Sequence, residues 1–285
     1  MSETPRFAFA GPENAKPLHI LRPEELASFQ AGPGAVWAGW LTASGFEAGL
    51  GEVRLLPSAD GGIAGAVAGY GTASARRRLR FGLAKVVGAL PAGDWALTGQ
   101  LDLAERSEAA LGWLLAGYRF DRYRPGRKPA VLPRLLCPEG LDPARLIAMA
   151  EGEALTRDLI NTPAEDLGPE ELEAAFLALA KTHGATTEVI RGDALLARSF
   201  PMIHAVGRAS PRAPRLLDLR WGTQGPRLTL VGKGVCFDTG GLNLKPSSGM
   251  NLMKKDMGGA ATVLGLAQMI MSLGLPLQLR VLVPA

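Results

Sequence analysis

Residues 230–261 read LVGKGVCFDTGGLNLKPSSGMNLMKKDMGGAA, and this stretch indicates both the fold and the position of a site. The apolar run at 227–231 predicts a buried strand just before it, and the apolar segment at 257–273 predicts a helix after it. The charged residues of the stretch therefore fall on loops at the carboxyl end of a strand, where open α/β sheets place their sites.

Two acidic residues of this stretch are candidate metal ligands. Asp238 lies in a Phe-Asp-Thr-Gly-Gly turn directly after the strand, and Asp256 stands just before the predicted helix. Carboxylate oxygens are ligands for hard divalent cations. Taken singly, Asp238 is more typical of a turn former than of a ligand, and Asp256 is more typical of a helix N-cap. Two acids beside two lysines among glycines favour a site.

The two lysines leave several roles open. Lys233, between two glycines, suits a salt bridge, a phosphate contact, or a neutral amine that ligates a metal. Lys245 suits either an exposed loop or a cation that polarises a carbonyl and holds an oxyanion. Lys254 and Lys255 are expected to be solvated or to lie behind the site. The spacing around Lys233 does not match a phosphate-binding loop.

Composition narrows the class of protein. The 285 residues are 47% hydrophobic and 20% charged, which predicts a soluble globular protein of two domains. The net charge of +4 is a weak indication of nucleic-acid binding. The two cysteines, Cys137 and Cys236, are far apart and form no metal motif, which suits a reducing cytoplasm. Cys236 is expected to be a small buried apolar residue.

Targeting and membrane segments are not expected. The first seventeen residues lack the basic and apolar regions of a secretory signal. Residues 257–278 carry no charge, a length that raises the possibility of a membrane span. Gly274, Leu275 and Pro276 break that segment, so we predict a helix followed by a strand.

The order of predicted elements gives two α/β domains. Residues 1–140 form the first, 141–161 a connecting helix capped by Asp142, and 162–285 the front part of a second domain. The second domain is expected to be a mostly parallel sheet flanked by helices, incomplete in this chain. Residues 79–90 predict one amphipathic helix, with the basic run at 76–80 as its solvated first turn.

The motif residues resemble the leucyl aminopeptidase (cytosol aminopeptidase) family. The resemblance is carried by these segments: 232–241, 245–246, 250–253, 255–261, 157–164 and 203–210. It covers about residues 154–285 and is long and specific. The part before Pro138 resembles only the variable N-terminal α/β domain of the family.

The resemblance implies a cytoplasmic exopeptidase that uses two divalent metal ions, zinc or manganese, to release N-terminal residues from peptides. It implies that Lys233 is the amine ligand of one metal, that Asp238 bridges both metals, and that Asp256 binds the same metal as Lys233. It makes Lys245 the catalytic lysine that stabilises the gem-diolate.

The resemblance also implies a substrate pocket and an assembly. Met250, Asn251 and Met253 lie where the family builds its side-chain pocket, which suits an apolar, leucine-like first residue. The family suggests a homo-hexamer without membrane contact.

The family carries its remaining ligands in an Asn-Thr-Asp-Ala-Glu-Gly-Arg segment. That segment supplies an Asp, a bridging Glu and an Arg that holds bicarbonate. It does not occur among these 285 residues, so the expectation is a front portion that is incomplete for activity. Two alternatives stay open at this point. One is a non-catalytic scaffold that binds DNA or a protein partner, and the other is a glycine-loop phosphate enzyme.

Overall fold

The chain forms two compact units. The computed structural model describes residues 6–126, 131–238 and 242–285. The units are Met1–Ala150 and Glu151–Ala285, and the division falls inside a long helix, Pro143–Asn161. Both units combine helices with a sheet, which confirms the predicted α/β class. The domain boundaries predicted at residues 140 and 161 stay a prediction.

The first unit is built on a five-stranded sheet of order β2-β3-β1-β4-β5. Its strands are β1 (Lys16–Leu21), β2 (Val53–Pro57), β3 (Ile63–Gly69), β4 (Gly93–Thr98) and β5 (Pro133–Leu135). Its α-helices are α1 (Leu26–Ala31), α2 (Ala38–Ala43), α3 (Ala73–Arg78), α4 (Ala84–Val87) and α5 (Leu103–Ala116). Strand β2 pairs antiparallel with β3, and the other three pairings are parallel.

The prediction of a single helix over residues 79–90 is wrong. Helix α3 ends at Arg78, so the basic residues 76–78 form its last turn rather than the first turn of a later helix. Phe81 has a positive φ of 54°, which an α-helix does not accept. Its backbone N–H donates to the Glu108 carboxylate of α5 at 2.9 Å. A contact distant in sequence therefore holds the chain out of helical geometry here.

Asp142 caps the first N–H groups of helix α6 (Pro143–Asn161), as predicted, and Glu151 within this helix begins the second unit. Its helices are α7 (Pro169–Thr182), α8 (Ala194–Ala197), α9 (Pro201–Gly207), α10 (Ser247–Met250) and α11 (Gly258–Ser272). Its strands are β6 (Thr186–Arg191), β7 (Arg215–Trp221), β8 (Arg227–Val231) and β9 (Gln278–Pro284), in the order β6-β7-β9-β8.

The second sheet is mixed within the part of the chain that the structure describes. Strands β8 and β9 pair in parallel around α11, as the predicted β-α-β unit requires, whereas β6–β7 and β7–β9 pair antiparallel. The parallel pairing expected for the second sheet is therefore found at β8–β9. The connection 222–226 is too short for a crossover, so β8 reverses direction after β7, and β9 follows β8.

Helices α7 and α11 pack on this sheet and enclose the core of the second unit. Phe176 of α7, Leu264 of α11 and Leu217 of β7 are almost completely buried in it. Burial of such apolar side chains is the main favourable term in folding. Of the helices in the described residues, none combines the length and hydropathy needed to cross a membrane.

Two glycines bring α6 and α11 into close contact. A Cβ atom on Gly265 would lie 2.4 Å from the carbonyl oxygen of Gly152 and 2.1 Å from the Thr156 hydroxyl. The Thr156 hydroxyl donates to the carbonyl of Ala261 at 3.1 Å. The carboxyl-terminal half of α6 is therefore fixed against α11, which begins within the motif stretch, residues 230–261.

Candidate functional site

Glycines extend the pairing of β8 past its last residue. The N–H of Gly232 donates to Leu282 and the N–H of Gly234 to Pro284, each at 3.0 Å. A Cβ on Gly234 would lie 2.7 Å from the Pro284 oxygen, and a Cβ on Gly232 would lie 2.5 Å from the Gly259 oxygen. Only a residue without a side chain fits at either place. These contacts place Lys233 between the sheet edge and the start of α11.

Lys233 and Asp256 meet at that position. The Lys233 Nζ lies 2.7 Å from a carboxylate oxygen of Asp256 and donates to the backbone oxygen of the same residue, also at 2.7 Å. The Lys233 carbonyl accepts the N–H of Ala260 at 2.9 Å, in the first turn of α11. An amine and a carboxylate separated by 22 intervening positions in sequence, 234–255, thus converge at the carboxyl end of β8.

Asp256 does not act as the N-cap of α11. The cap position is Met257, and no side chain accepts a hydrogen bond there. Asp256 instead ends a short 3₁₀ turn, Met253–Lys255, where its N–H donates to Met253 at 2.9 Å. Its carboxylate is directed at Lys233 rather than at the helix backbone, which favours the site interpretation over the capping interpretation.

Lys245 lies at the other end of the same turn. Its Nζ lies 3.5 Å from the sulfur of Met253, a residue predicted to line the substrate pocket. The structure therefore brings Lys245 to the beginning of the turn and Lys233 to its end. A predicted catalytic lysine and a predicted metal pair are thus joined through one short segment.

The remaining predicted site residues lie on neighbouring segments of the same stretch. Asp238 is exposed on the loop after β8, next to residues 239–241, which are outside the described part. Met250 ends α10 and is half-buried, and Asn251 follows it in an exposed position. The bridging role of Asp238 and the pocket roles of Met250 and Asn251 stay predictions.

Lys254 has a contact that sequence reasoning missed. It was expected to be solvated or behind the site. Its Nζ donates to the backbone carbonyl of Asn161, the last residue of α6, at 3.2 Å, and the residue is half-buried. No pattern signals such a contact, because the acceptor is a main-chain oxygen 93 positions away. The neighbouring Lys255 is exposed, as expected.

An ion-pair network between α7 and strands β6 and β7 was also missed. Arg215, at the start of β7, is buried and pairs with Glu173 of α7 at 2.6 Å and with Glu170. Arg191 donates one hydrogen bond to each of the two Glu173 carboxylate oxygens. The hydrogen bond from Arg191, reinforced by Arg215, lowers the pKa of Glu173 below its ordinary value.

Cys236 has the apolar setting that was predicted. It packs against the core of the second unit, and its thiol contacts the carbonyl of Gly234 at 3.5 Å. Burial raises the pKa of this thiol to about 12. Its sulfur is therefore protonated at neutral pH, which does not suit a nucleophile.

The donor set fits part of a metal centre. Lys233 and Asp256 offer one nitrogen and carboxylate oxygen at a point where backbone atoms also converge. Among the described residues, no three His, Cys, Asp or Glu side chains form a group that could hold a metal ion. The pair is accordingly a partial donor set, with Asp238 nearby on the same loop.

Two family models match the chain. The catalytic-domain model of the cytosol aminopeptidase family matches residues 154–285, and the N-terminal-domain model of the M17 aminopeptidases matches residues 16–138. The chain is 38% identical over 260 residues to a probable cytosol aminopeptidase of Leifsonia xyli subsp. xyli, covering 84% of this chain and 50% of that relative.

Solved structures show the same likeness. The cytosol aminopeptidase from Coxiella burnetii has a TM-score of 0.87 and 38% identity, with 98% of this chain and 60% of that chain covered. The bottromycin maturation enzyme BotP, in complex with Mn, has a TM-score of 0.77 and 33% identity, with 94% and 58% covered. The chain thus spans roughly half the length of these relatives.

Proposed function

Because the chain belongs to the cytosol aminopeptidase family, we propose that it serves in the metal-dependent release of N-terminal amino acids from peptides. The observation that carries the proposal is the convergence of Lys233 Nζ and the Asp256 carboxylate at 2.7 Å. This amine and carboxylate stand at the carboxyl end of a strand, on the segment with the strongest family resemblance.

In this proposal Lys233 and Asp256 hold one divalent cation, and Asp238 is shared with a second. When bound, such cations supply an activated water and polarise the scissile carbonyl. Once deprotonated, the Lys233 amine would offer its lone pair to such a cation, and the Asp256 carboxylate, 2.7 Å from this nitrogen, would offer an oxygen. The family relation and the pairing of these two residues support this assignment.

Lys245 is assigned the stabilisation of the developing oxyanion. Its side chain is exposed beside Met253 and is not engaged by the Lys233–Asp256 pair. A fixed positive charge near a developing oxyanion accelerates hydrolysis. Met250, Asn251 and Met253 are assigned the pocket for an apolar, leucine-like first residue, since flexible methionine side chains adapt to such groups.

The finer properties follow from the family relation. We propose manganese or zinc as the metals, bicarbonate in the complete enzyme, a homo-hexameric assembly and a cytoplasmic location. The manganese complex of BotP supports the choice of manganese, and the relatives named as cytosol aminopeptidases support the location. Metal analysis by mass spectrometry and light scattering of the purified protein test the metals and the assembly.

The direct test is hydrolysis of leucine-p-nitroanilide by the full protein with Mn²⁺. We expect turnover that is abolished by a chelator and restored by Mn²⁺, with no turnover of N-acetyl-leucine-p-nitroanilide. We expect Lys245→Ala to lower kcat by about a hundredfold or more, the usual effect of losing an oxyanion-stabilising group. Undiminished turnover in Lys245→Ala would remove Lys245 from the mechanism. Lack of any turnover would favour the non-catalytic scaffold.

A further inference from the structure

One charged side chain of the motif stretch is directed at a helix end rather than at the Lys233–Asp256 pair. Lys254 is half-buried, and its Nζ donates to the backbone oxygen of Asn161 at 3.2 Å. Asn161 is the last residue of α6, where helix carbonyls lack helical N–H partners and a cation is favoured. The contact therefore has a specific acceptor and a favourable electrostatic setting.

The acceptor belongs to a firmly held part of the second unit. Helix α6 contacts α11 through Gly152 and Gly265, and the Thr156 hydroxyl bonds to Ala261 of α11 at 3.1 Å. At its end, the Thr162 hydroxyl and N–H both bond to the carbonyl of Asp158, at 2.7 and 3.0 Å. The end of α6 is therefore held in place, and a side chain that bonds to it, such as that of Lys254, is held with it.

Lys254 sits at the middle of the turn whose two ends carry the site. Met253, before it, contacts Lys245, and Asp256, two positions after it, binds Lys233. The turn itself is closed by short-range backbone bonds, such as that from Asp256 N–H to Met253 at 2.9 Å. The Lys254 side chain connects this small turn to the body of the unit.

From this placement we infer that Lys254 is a positioning residue: its bond to the end of α6 holds the Met253–Lys255 turn so that Asp256 faces Lys233 and Met253 faces Lys245. The exposed Lys255 carries the same charge in the next position and provides a matched control. Contacts that orient metal ligands without touching the metal commonly change metal affinity or activity by 10- to roughly 100-fold.

The first experiment does not depend on the proposed function. The methionine methyl groups of the metal-free protein are labelled with carbon-13, and the Met253 signal is assigned with Met253→Leu. We expect Lys254→Ala to shift or broaden the Met253 signal, and Lys254→Arg and Lys255→Ala to leave it close to wild type. An unchanged Met253 signal in Lys254→Ala overturns the inference.

The second experiment rests on the proposed function and uses Mn²⁺ alone as the ligand. We expect Lys254→Ala to bind Mn²⁺ about tenfold more weakly in calorimetric titration, with Lys254→Arg restoring most of the affinity. In turnover of leucine-p-nitroanilide, kcat falls about tenfold and KM changes little, because ligand geometry rather than the pocket is altered. Equal effects of Lys254→Ala and Lys255→Ala overturn the inference. If the wild-type protein neither binds Mn²⁺ nor turns over substrate, the proposed function fails, and the methyl signal alone decides the role of Lys254.

Discussion

The Nζ atom of Lys233 contacts both the carboxylate and the backbone oxygen of Asp256, each at 2.7 Å. The side chain of Lys233 is 54% exposed and that of Asp256 is 29% exposed. A pair so open to water contributes little to stability, commonly below about 1 kcal/mol. These two polar contacts to Asp256 therefore add little to stability, which agrees with the proposal that the pair binds a ligand.

Replacement of Lys233 by Ala should separate binding from folding. We expect Mn²⁺ affinity to fall by about tenfold or more, because one donor atom is lost. The free energy of unfolding in urea should change by less than about 1 kcal/mol. Calorimetric titration and urea unfolding of the metal-free protein measure the two effects. A variant that retains wild-type affinity would show that Lys233 only forms a salt bridge.

Glu173 should be a large contributor to the stability of the second unit. Removing it in Glu173→Ala leaves the buried Arg215 without one of its acids, and we expect a loss of about 3 kcal/mol in urea unfolding. The matched control is Glu188→Ala, since the Glu188–Arg198 pair is exposed and should cost below about 1 kcal/mol. Similar losses in the two variants would contradict the network.

The same acid should make stability depend on pH. Arg191 and Arg215 hold the pKa of Glu173 below its ordinary 4.5, so the unfolded chain binds the proton more readily than the folded one. The stabilisation is present in full above pH 4.5 and is lost as pH falls through the lower folded-state pKa. Urea unfolding from pH 7 to 3 should show the gap between wild type and Glu173→Ala narrowing with acid. A gap that does not change with pH would refute this account.

Gly265 should tolerate no side chain. A Cβ there would lie 2.1 Å from the Thr156 hydroxyl and 2.4 Å from the Gly152 carbonyl, so Gly265→Ala must push α6 away from α11. We expect the free energy of unfolding of Gly265→Ala to fall by about 2 kcal/mol, within the usual range for overpacking. Gly258→Ala, in the same helix, meets only Ile160 at 3.7 Å and should be neutral or slightly stabilising. Urea unfolding of both variants decides the point.

Cys236 should react slowly with thiol reagents while the protein is folded. Its pKa of about 12 leaves almost no thiolate at pH 8. In a Cys137→Ser background, we expect reaction with an aromatic disulfide reagent to be about a hundredfold slower than in urea. Rapid reaction of the folded protein would mean that the loop after β8 opens readily.

Much of the second unit could be predicted because its signals are local. Strands β7 and β8 have the predicted bounds, because apolar runs between glycine and proline residues identify strands. The prediction that residues 227–231 are buried is wrong, since β8 is mostly exposed in the described structure whereas β7 is buried. The antiparallel β7–β9 pairing was predictable in principle, from the short connection 222–226, but the β-α-β pattern outweighed it. Phe81 could not be placed from sequence, because its conformation depends on Glu108 of another helix.

The residues of the candidate site could be proposed from the sequence, but their contacts could not. Asp256 suited both an N-cap and a ligand, and only the position of Lys233 distinguishes these roles. Lys254 and Lys255 are identical in type and adjacent in sequence, yet only the former bonds to the end of α6 in the described structure. Patterns identify which residues carry chemistry, and long-range packing decides which atoms they meet.

The backbone carbonyl and the side-chain amine of Lys233 make separate contacts. Its carbonyl receives the Ala260 N–H at the start of α11, a contact that any residue at this position provides. Its amine is the part directed at Asp256. The backbone contact does not involve the side chain at position 233. A substitution there is therefore expected to keep the bond to Ala260 at the start of α11. The reactive group at position 233 can therefore be changed by substitution while the backbone of β8 and α11 stays the same.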